Sequence, residues 1–494
     1  MTAAYDALIA HTRQTTALEQ AAGLLAWDQE TMMPDAGLAQ RGEQAAALQL
    51  AIHDRATDPR IGDWLAACDG ADLPPMALRN VALIRRGFDR ATRVPADLQA
   101  AIARAASHGH GVWIAARAAK RFADFAPTLD TMLALKREEA ACMADPGQRP
   151  YDALLEAFEP GLTSAALKPL FESLAGPLSA LVQAIAERPA PPPLSGRFPA
   201  DAQRRLVADV AAALGYRLDA GRIDIAVHPF CSGQGSDVRI TTRIDETTPL
   251  DCLYSVIHEV GHAIYEQNMP DVTLLEPAGR YASMGLHESQ SRLYENQIGR
   301  SRAFAGWLYP RLQAAFGALP VDGPEALYAA LNRVEPGFIR TEADEVQYNL
   351  HILLRWELEE RMIDGSLPAA DVEEAWNARF AALFGRAVPD AAMGALQDTH
   401  WSQGLFGYFP TYTLGNVYAA ELFAALERAI PDAADLIAAG DFAPLRTWLT
   451  THVHARANSR PAQQIVADAI GYAPSAAPLI AYLQAKFSGL YALA

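Results

Sequence analysis

The chain has 494 residues, of which 51% are hydrophobic and 20% charged, and this balance supplies a large core and excludes a disordered protein. Its formal net charge of −17 argues against nucleic acid and anionic membranes as partners. No C-x-x-C pair occurs among the four cysteines, so we expect reduced thiols and no disulfide framework. The sequence also shows no signal-peptide pattern and no uncharged run of transmembrane length. Together with the cysteine usage, this predicts a cytoplasmic protein.

The first 187 residues predict a succession of helices. Apolar residues recur there at three-to-four spacing, between breaks at Pro, Gly and Asp. The Pro-rich stretch 188–196 is the clearest candidate linker. We therefore predict an N-terminal helical part, 1–187, and a second part, 197–494. The alternative is that the stretch forms a surface loop within a single unit spanning 1–494.

The strand signal is confined to a short region in the middle of the chain. Apolar residues alternate in 222–227 and again in 238–244, on either side of a polar, Gly-containing segment. This pattern predicts a β-hairpin over about 222–244 with a long loop. The remaining sequence to the C-terminus predicts helices once more, so the expected fold class is mainly α with one small sheet.

The run His258-Glu259-Val260-Gly261-His262 follows this hairpin, within a predicted helix. Histidines four residues apart project from one face of a helix, so both imidazoles can bind one Zn²⁺. Glu259, next to the first ligand, can take a proton from a water at such a metal. Gly261 costs a helix about 1 kcal/mol relative to Ala, so we expect another backbone to approach closely there. The run predicts a zinc peptidase; the alternative is a helix that happens to hold two histidines.

A catalytic zinc takes three protein ligands and keeps one position open. The third histidine of the H-E-x-x-H-x-x-G-x-x-H pattern is missing, and Asn268 occupies its position. A carboxylate from the next predicted helix, 284–296, is the better candidate. Glu288 and Glu295 share that helix two turns apart, and the spacing alone leaves both open.

If the neighbouring hairpin forms a wall of the site, its edge strand could pair with an extended peptide; the alternative is a surface hairpin without a ligand.

Further motifs occur in an order and spacing that resemble the carboxypeptidase Taq family of metallocarboxypeptidases. Besides the histidine motif they lie at 27–34, 228–230, 237–241, 287–290, 339–344, 394–401 and 407–416. The resemblance therefore covers nearly the whole chain.

The resemblance implies a helical clam-like fold with a deep central cleft and a small β-sheet beside the metal site, with 1–187 as one wall or lid. It implies Glu288 as the third ligand, and one Zn²⁺ per chain, with Co²⁺ as a second possibility. It also implies a homodimer that releases single amino acids from peptides with a free C-terminus, with broad specificity. The nearest alternative activity is that of a helical zinc endo-oligopeptidase.

A carboxypeptidase must bind the free α-carboxylate of its substrate. Arg340 is the first candidate for this role, because a guanidinium can bind a carboxylate through two parallel hydrogen bonds. The alternative for Arg340 is a structural ion pair with Glu342 or Asp344. Arg239, on the second predicted strand, is another candidate for substrate binding.

The remaining candidates are polar and aromatic residues within the shared motifs. His228 is expected to line the pocket for the departing residue, or to be a structural histidine. Tyr408 or Tyr412 could donate its hydroxyl to the oxyanion that forms during hydrolysis, the alternative being an aromatic core cluster. Gln397 and His400 could orient substrate or ligands, or form a hydrogen-bond network at a helix end.

Overall fold

The computed structural model describes residues 2–493, and its N-terminal third is helical as the apolar spacing predicts. Several of these helices begin at a proline, whose fixed φ and missing N–H suit a first turn. The helices are α1 (Ala3–Thr31), α2 (Leu38–Ala56), α3 (Pro59–Cys68), α4 (Pro75–Arg93), α5 (Ala96–Ala119), α6 (Ala126–Met143), α7 (Pro150–Leu155), α8 (Ser164–Ala186) and α9 (Ala200–Leu214).

The buried apolar side chains form two separate cores. Helices α1, α3 and α4 bury a small cluster of their own, which includes Leu8, Leu65 and Val81. Helices α5–α9 instead bury their apolar faces in the main core, together with the C-terminal helices. The division between the two cores falls near residue 94, and the Pro-rich stretch 188–196 lies within the part of the chain that contributes to the main core. The helices on both sides of the Pro-rich stretch share one apolar interior.

The small sheet has three strands, β1 (Ile223–Ile225), β2 (Cys231–Gln234) and β3 (Asp237–Thr242), in the order β1-β3-β2. The predicted pairing is corrected here. The two alternating segments, β1 and β3, are parallel neighbours, and the hairpin is formed by β2 and β3 around a two-residue turn. Apolar alternation identifies strands but does not specify their direction or partner. The polar segment expected to be a loop supplies β2.

Helices fill the rest of the chain, which confirms the predicted mainly helical fold. They are α10 (Pro249–Gln267), α11 (Met284–Arg292), α12 (Arg302–Phe316), α13 (Gly323–Leu331), α14 (Glu345–Asp364), α15 (Val372–Phe384), α16 (Pro410–Ala429), α17 (Ala433–Ala439), α18 (Ala443–His452), α19 (Ala462–Ile470) and α20 (Ala477–Tyr491). A π-helical segment, Leu293–Ile298, continues α11.

Helix α11 is packed between α10 and α16, and glycines make both contacts possible. A Cβ atom at Gly261 of α10 would lie 2.5 Å from the carbonyl oxygen of Gln290 and 2.6 Å from the Cα atom of Ser291. A Cβ atom at Gly415 of α16 would lie 2.4 Å from Cγ of Glu288. The expected close backbone approach at Gly261 is thereby confirmed.

Helix α8 is long and apolar enough to cross a membrane by length and composition alone, with a mean hydropathy of 1.2 over an 18-residue window. Its Phe171, Leu174 and Leu178 are fully buried in the main core. One third of that window is buried, and core helices of this length pass the same test of composition, so the hydropathy alone is weak evidence for a membrane span.

We expect Gly261→Ala to lower the free energy of unfolding by about 1–3 kcal/mol, because the added methyl group meets backbone atoms that cannot move aside. Gly306→Ala in α12 is the matched control, since a Cβ atom there has no neighbour within 4 Å. That control should gain up to about 1 kcal/mol from helix propensity. Urea unfolding of both variants measures the difference. Equal stabilities would contradict the close packing of α10 on α11.

Candidate metal centre and substrate cleft

Three side chains from α10 and α11 converge on one point. The Nε2 atoms of His258 and His262 lie 3.7 Å and 3.5 Å from Oε2 of Glu288. The ligand atoms of all three residues lie within 4.8 Å of one another, and the part of the chain that the structure describes contains no other such group. Tetrahedral zinc with bonds of about 2.0–2.1 Å needs ligand atoms about 3.3 Å apart. The set therefore fits a zinc ion bound by two nitrogens and one oxygen.

The second nitrogen of each histidine ring is held by the protein. Nδ1 of His258 donates to Oε2 of Glu295 at 2.9 Å, and Nδ1 of His262 donates to the carbonyl oxygen of His287 at 3.1 Å. These bonds place the protons on Nδ1 and leave both Nε2 atoms for a metal. The structure thus distinguishes the two candidate ligands that the sequence spacing left open. Glu288 faces the Nε2 atoms of both histidines, whereas Glu295 orients the His258 ring through its Nδ1 atom. This supporting position of Glu295 was not recognised from the sequence.

Electrostatics keep Glu288 ionised and His262 neutral. At His258 burial favours the neutral ring, but the carboxylates of Glu288 and Glu295 outweigh burial and raise the pKa of this histidine. Burial raises the pKa of Glu288, but Arg292 and the two histidines outweigh it and hold that pKa well below its usual range. Arg292 donates from Nε to Oε1 of Glu288 at 2.7 Å, whereas Oε2, which accepts the Ser291 hydroxyl at 3.2 Å, faces the two histidines. Burial lowers the pKa of His262 to about 3, which keeps that ring neutral. The i,i+4 spacing of Glu288 and Arg292 is a sequence signal that could have predicted this ion pair.

Glu259 points into a cavity of about 460 Å³ beside the triad. It has no hydrogen-bond or ion-pair partner among residues 2–493, and only 7% of it is exposed. Burial raises its pKa to about 7. A carboxyl group with a pKa near neutrality can both accept and return a proton.

The cavity is walled by the sheet on one side and by helical segments on the other. Its lining consists of the segment 229–234 with Glu259, His262, Glu266, Tyr281, Met284, His287, Glu288, Tyr408, Thr411 and Tyr412. The rings of Tyr408 and Tyr412 lie 5.4 Å apart, and burial raises both their pKa values, so both remain hydroxyl donors. The structure therefore brings the two predicted tyrosines to the cavity of the triad.

Arg340 lies behind Tyr412, with its guanidinium carbon 4.9 Å from the centre of that ring. Its Nε and Nη2 atoms donate to Oδ1 of Asp398 at 3.0 and 2.9 Å. Arg355 donates to the other oxygen of Asp398 at 2.7 Å, so two guanidinium groups share one carboxylate. The alternative for Arg340, an ion pair with Glu342 or Asp344, is not formed; Asp344 instead caps α14.

Two other predicted residues lie outside the metal cavity. Arg239 pairs with Asp237 at 2.8 Å and stacks on Trp27 at 4.3 Å, in a second cavity of about 410 Å³ between α1 and β2. His228 is exposed and does not line the metal cavity. The expectation that His228 lines the pocket for the departing residue is therefore corrected, because the chain turns this side chain outward before β2 begins.

Gln397 and His400 support the segment around Arg340 and do not line the cavity. Oε1 of Gln397 accepts the backbone N–H of Arg340 at 2.8 Å. The ring of His400 packs 4.5 Å from that of Phe409, and burial lowers its pKa to about 4. Gln397 thus matches the hydrogen-bond network that was its alternative, whereas the ring of His400 makes no hydrogen bond among residues 2–493 and only approaches Asp398, at 3.8 Å.

A helical cleft with an H-E-x-x-H helix and a carboxylate on the next helix defines the class of metal-dependent peptidases. Residues 7–487 match the family model of the carboxypeptidase Taq (M32) metallopeptidases, and the chain belongs to this family. It is therefore a metal-dependent carboxypeptidase.

Individual relatives are similar to this chain over nearly its full length. The chain is 41% identical to thermostable carboxypeptidase 1 of Thermus thermophilus, over 99% of both chains. It is 34% identical to carboxypeptidase 1 of Bacillus subtilis, over 96% of both. The crystal structure of an M32 carboxypeptidase from Deinococcus radiodurans R1 covers 100% of both chains at 35% identity, with a TM-score of 0.95.

We expect Glu295→Gln to weaken zinc binding by about 10- to 100-fold, because an amide holds the Nδ1 proton of His258 less strongly than a carboxylate does. Glu357→Gln is the control, since it only removes a partly exposed ion pair with Arg379. Competition with a chelator measures both affinities. An unchanged affinity in Glu295→Gln would contradict the orienting role of Glu295.

Proposed function

We propose that the protein is a zinc carboxypeptidase that removes C-terminal residues from peptides with broad specificity, with one ion per chain held by His258, His262 and Glu288. The observation that carries this proposal is the convergence of three donor atoms beside a cavity that contains Glu259. A zinc ion bound there would supply Lewis acidity, which activates water and polarises the scissile carbonyl. Co²⁺ is a second candidate for the same donors.

Glu259 is proposed as the general base. Its carboxylate is free of other partners and opens to the cavity, so it can take a proton from the attacking water. The same group can then pass that proton to the leaving amine. Tyr408 or Tyr412 would donate a hydroxyl hydrogen bond to the developing oxyanion, because both line the cavity and both stay protonated.

Arg340 is proposed to attract the substrate's α-carboxylate. Arg340, Arg355 and Asp398 together carry one uncompensated positive charge, in a buried position next to Tyr412. A carboxylate arriving near Tyr412 would neutralise this charge, which favours binding at the C-terminal end of a peptide. The mixed aromatic and polar lining of the cavity supports acceptance of many terminal side chains.

We also propose a cytoplasmic homodimer. All four cysteines are free, as expected of a reducing compartment. Helix α2 buries no residue, and Leu38 and Leu50 on it are each 62% exposed, which offers an apolar surface to a second copy. Sedimentation equilibrium of the full chain decides between monomer and dimer.

We expect Glu259→Gln to keep its zinc and to lose activity by at least about 100-fold, because the amide cannot accept the proton of the attacking water. Elemental analysis gives the zinc content, and release of the last residue from an N-terminally blocked peptide gives kcat. Turnover close to that of the native protein in this variant would refute the general-base assignment.

A C-terminally amidated peptide separates the carboxypeptidase proposal from the endo-oligopeptidase alternative. We expect its kcat/KM to be about 10- to 100-fold below that of the free acid, because charge-assisted hydrogen bonds are lost. Arg340→Met should reduce this preference, whereas Arg379→Met, on a partly exposed ion pair, should leave it intact. Equal cleavage of acid and amide by the native protein would favour the endo-oligopeptidase.

A further inference from the structure

Glu359 is a fully buried carboxylate on α14 that does not line the metal cavity. Its Oε2 atom accepts the hydroxyl of Tyr151 at 2.9 Å and the backbone N–H of Gly407 at 3.0 Å. Its Oε1 atom accepts Nε1–H of Trp401 at 2.9 Å. One carboxylate thus joins α14 to α7, to the segment His400–Gln403 and to the loop before α16. Burying a charge is costly even with such partners, and an apolar side chain could fill the same space at lower cost.

Gly407 is also held from a second side. Its φ of +82° lies in the left-handed region, and a Cβ atom there would lie 2.8 Å from the backbone nitrogen of Leu155. The end of α7 and the carboxylate of Glu359 therefore confine the backbone of this glycine between them. The next residue, Tyr408, starts from a position that these two contacts determine.

Tyr408 carries this restraint into the metal cavity. Its carbonyl oxygen accepts the backbone N–H of Thr411 at 3.1 Å and the hydroxyl of the same residue at 2.8 Å. Its ring packs edge-on against Phe158, with ring centres 5.0 Å apart, and lines the cavity together with Glu259. A displacement of about 1 Å in a reacting arrangement can cost about 100-fold in rate. A tyrosine that donates to an oxyanion therefore needs a backbone restrained in this way.

Tyr412, the other candidate donor, is held differently. It lies in the first turn of α16, and the guanidinium carbon of Arg340 lies 4.9 Å from the centre of its ring. Neither contact passes through Gly407. Loss of the bond between Glu359 and Gly407 would therefore displace Tyr408 more than Tyr412.

We propose that Glu359 is a positioning residue for peptide hydrolysis: its carboxylate fixes the backbone of Gly407 and so holds the hydroxyl of Tyr408 where the oxyanion forms. This inference rests on the proposed function, in which a cavity tyrosine donates to that oxyanion. Glu359 acts only through Tyr408. Because the oxyanion exists only in the transition state, the contribution of Glu359 belongs to kcat and not to the binding of the peptide.

The first test is Glu359→Gln, which keeps the size of the side chain but turns an NH₂ group towards at least one of the three donors. With the zinc-loaded full chain and an N-terminally blocked peptide, we expect kcat to fall about 10- to 100-fold at unchanged KM. The zinc content should stay the same, because Glu359 touches none of the three metal-binding side chains. A rise in KM without a fall in kcat, or a loss of zinc, would overturn the proposal.

Glu421→Gln is the matched control. Glu421 is also a fully buried carboxylate with three donors, namely the hydroxyl of Tyr472 and the backbone N–H and hydroxyl of Ser475. It lies outside the metal cavity. We expect this variant to lose a similar amount of stability in urea unfolding and to keep a kcat close to that of the native protein. An equal fall in kcat would show a general loosening of the fold and would contradict a specific role of Glu359.

The second test is a double-mutant cycle with Tyr408→Phe, which separates positioning from a merely structural role. We expect Tyr408→Phe alone to lower kcat about 100-fold. In that background Glu359→Gln should lower kcat no further, since no hydroxyl is left to hold. Effects that multiply would overturn the proposal, and so would a native kcat in Tyr408→Phe. Glu359→Asp, which keeps the charge on a shorter side chain, takes the place of Glu359→Gln if the latter does not fold. If the native protein releases no terminal residue, the proposed function fails instead.

Discussion

The metal centre depends on the close packing of α11 against the backbones of two other helices. Gly261 lets α11 meet α10 at backbone distance, and Gly415 lets α16 press against the side chain of Glu288 from the other side. With any larger residue at either position, Glu288 would be displaced from the two histidines. Helices packed through larger side chains lie further apart, so the two glycines bring the carboxylate of Glu288 closer to the histidines of α10.

The buried charges around this contact follow one pattern. Glu288 is held by Arg292, Glu295 by His258 and Arg292, and Asp398 by two guanidinium groups. Such partners offset the cost of removing a carboxylate from water. Glu259 has none, and this is why burial raises its pKa to about 7. The lack of a partner is a cost to the fold, and it leaves this carboxylate free on the cavity side, as the proposed general base requires.

The sequence predicts those parts of the site that lie within one helix. The four-residue spacing of His258 and His262 and the close approach at Gly261 both follow from helical geometry. Spacing could not separate Glu288 from Glu295, because both approach His258: Glu288 faces Nε2 of both histidines, and Glu295 faces Nδ1 of His258. The partner of Arg340 was missed because Asp398 is 58 residues away. In the sheet, apolar alternation located β1 and β3, but Ser, Gly and Gln gave no strand signal for β2.

The donor set of the bound ion is the most direct test of this account. X-ray absorption at the zinc edge of the metal-loaded protein should show two imidazole nitrogens at about 2.0–2.1 Å together with oxygen, and no sulfur. His287 stacks on His262 with ring centres 4.4 Å apart, and Cys231 lines the cavity, so these are the neighbouring nitrogen and sulfur donors that the measurement has to exclude. Three imidazoles, or a sulfur atom at about 2.3 Å, would contradict the assignment of Glu288 and with it the role given to the packing of α11.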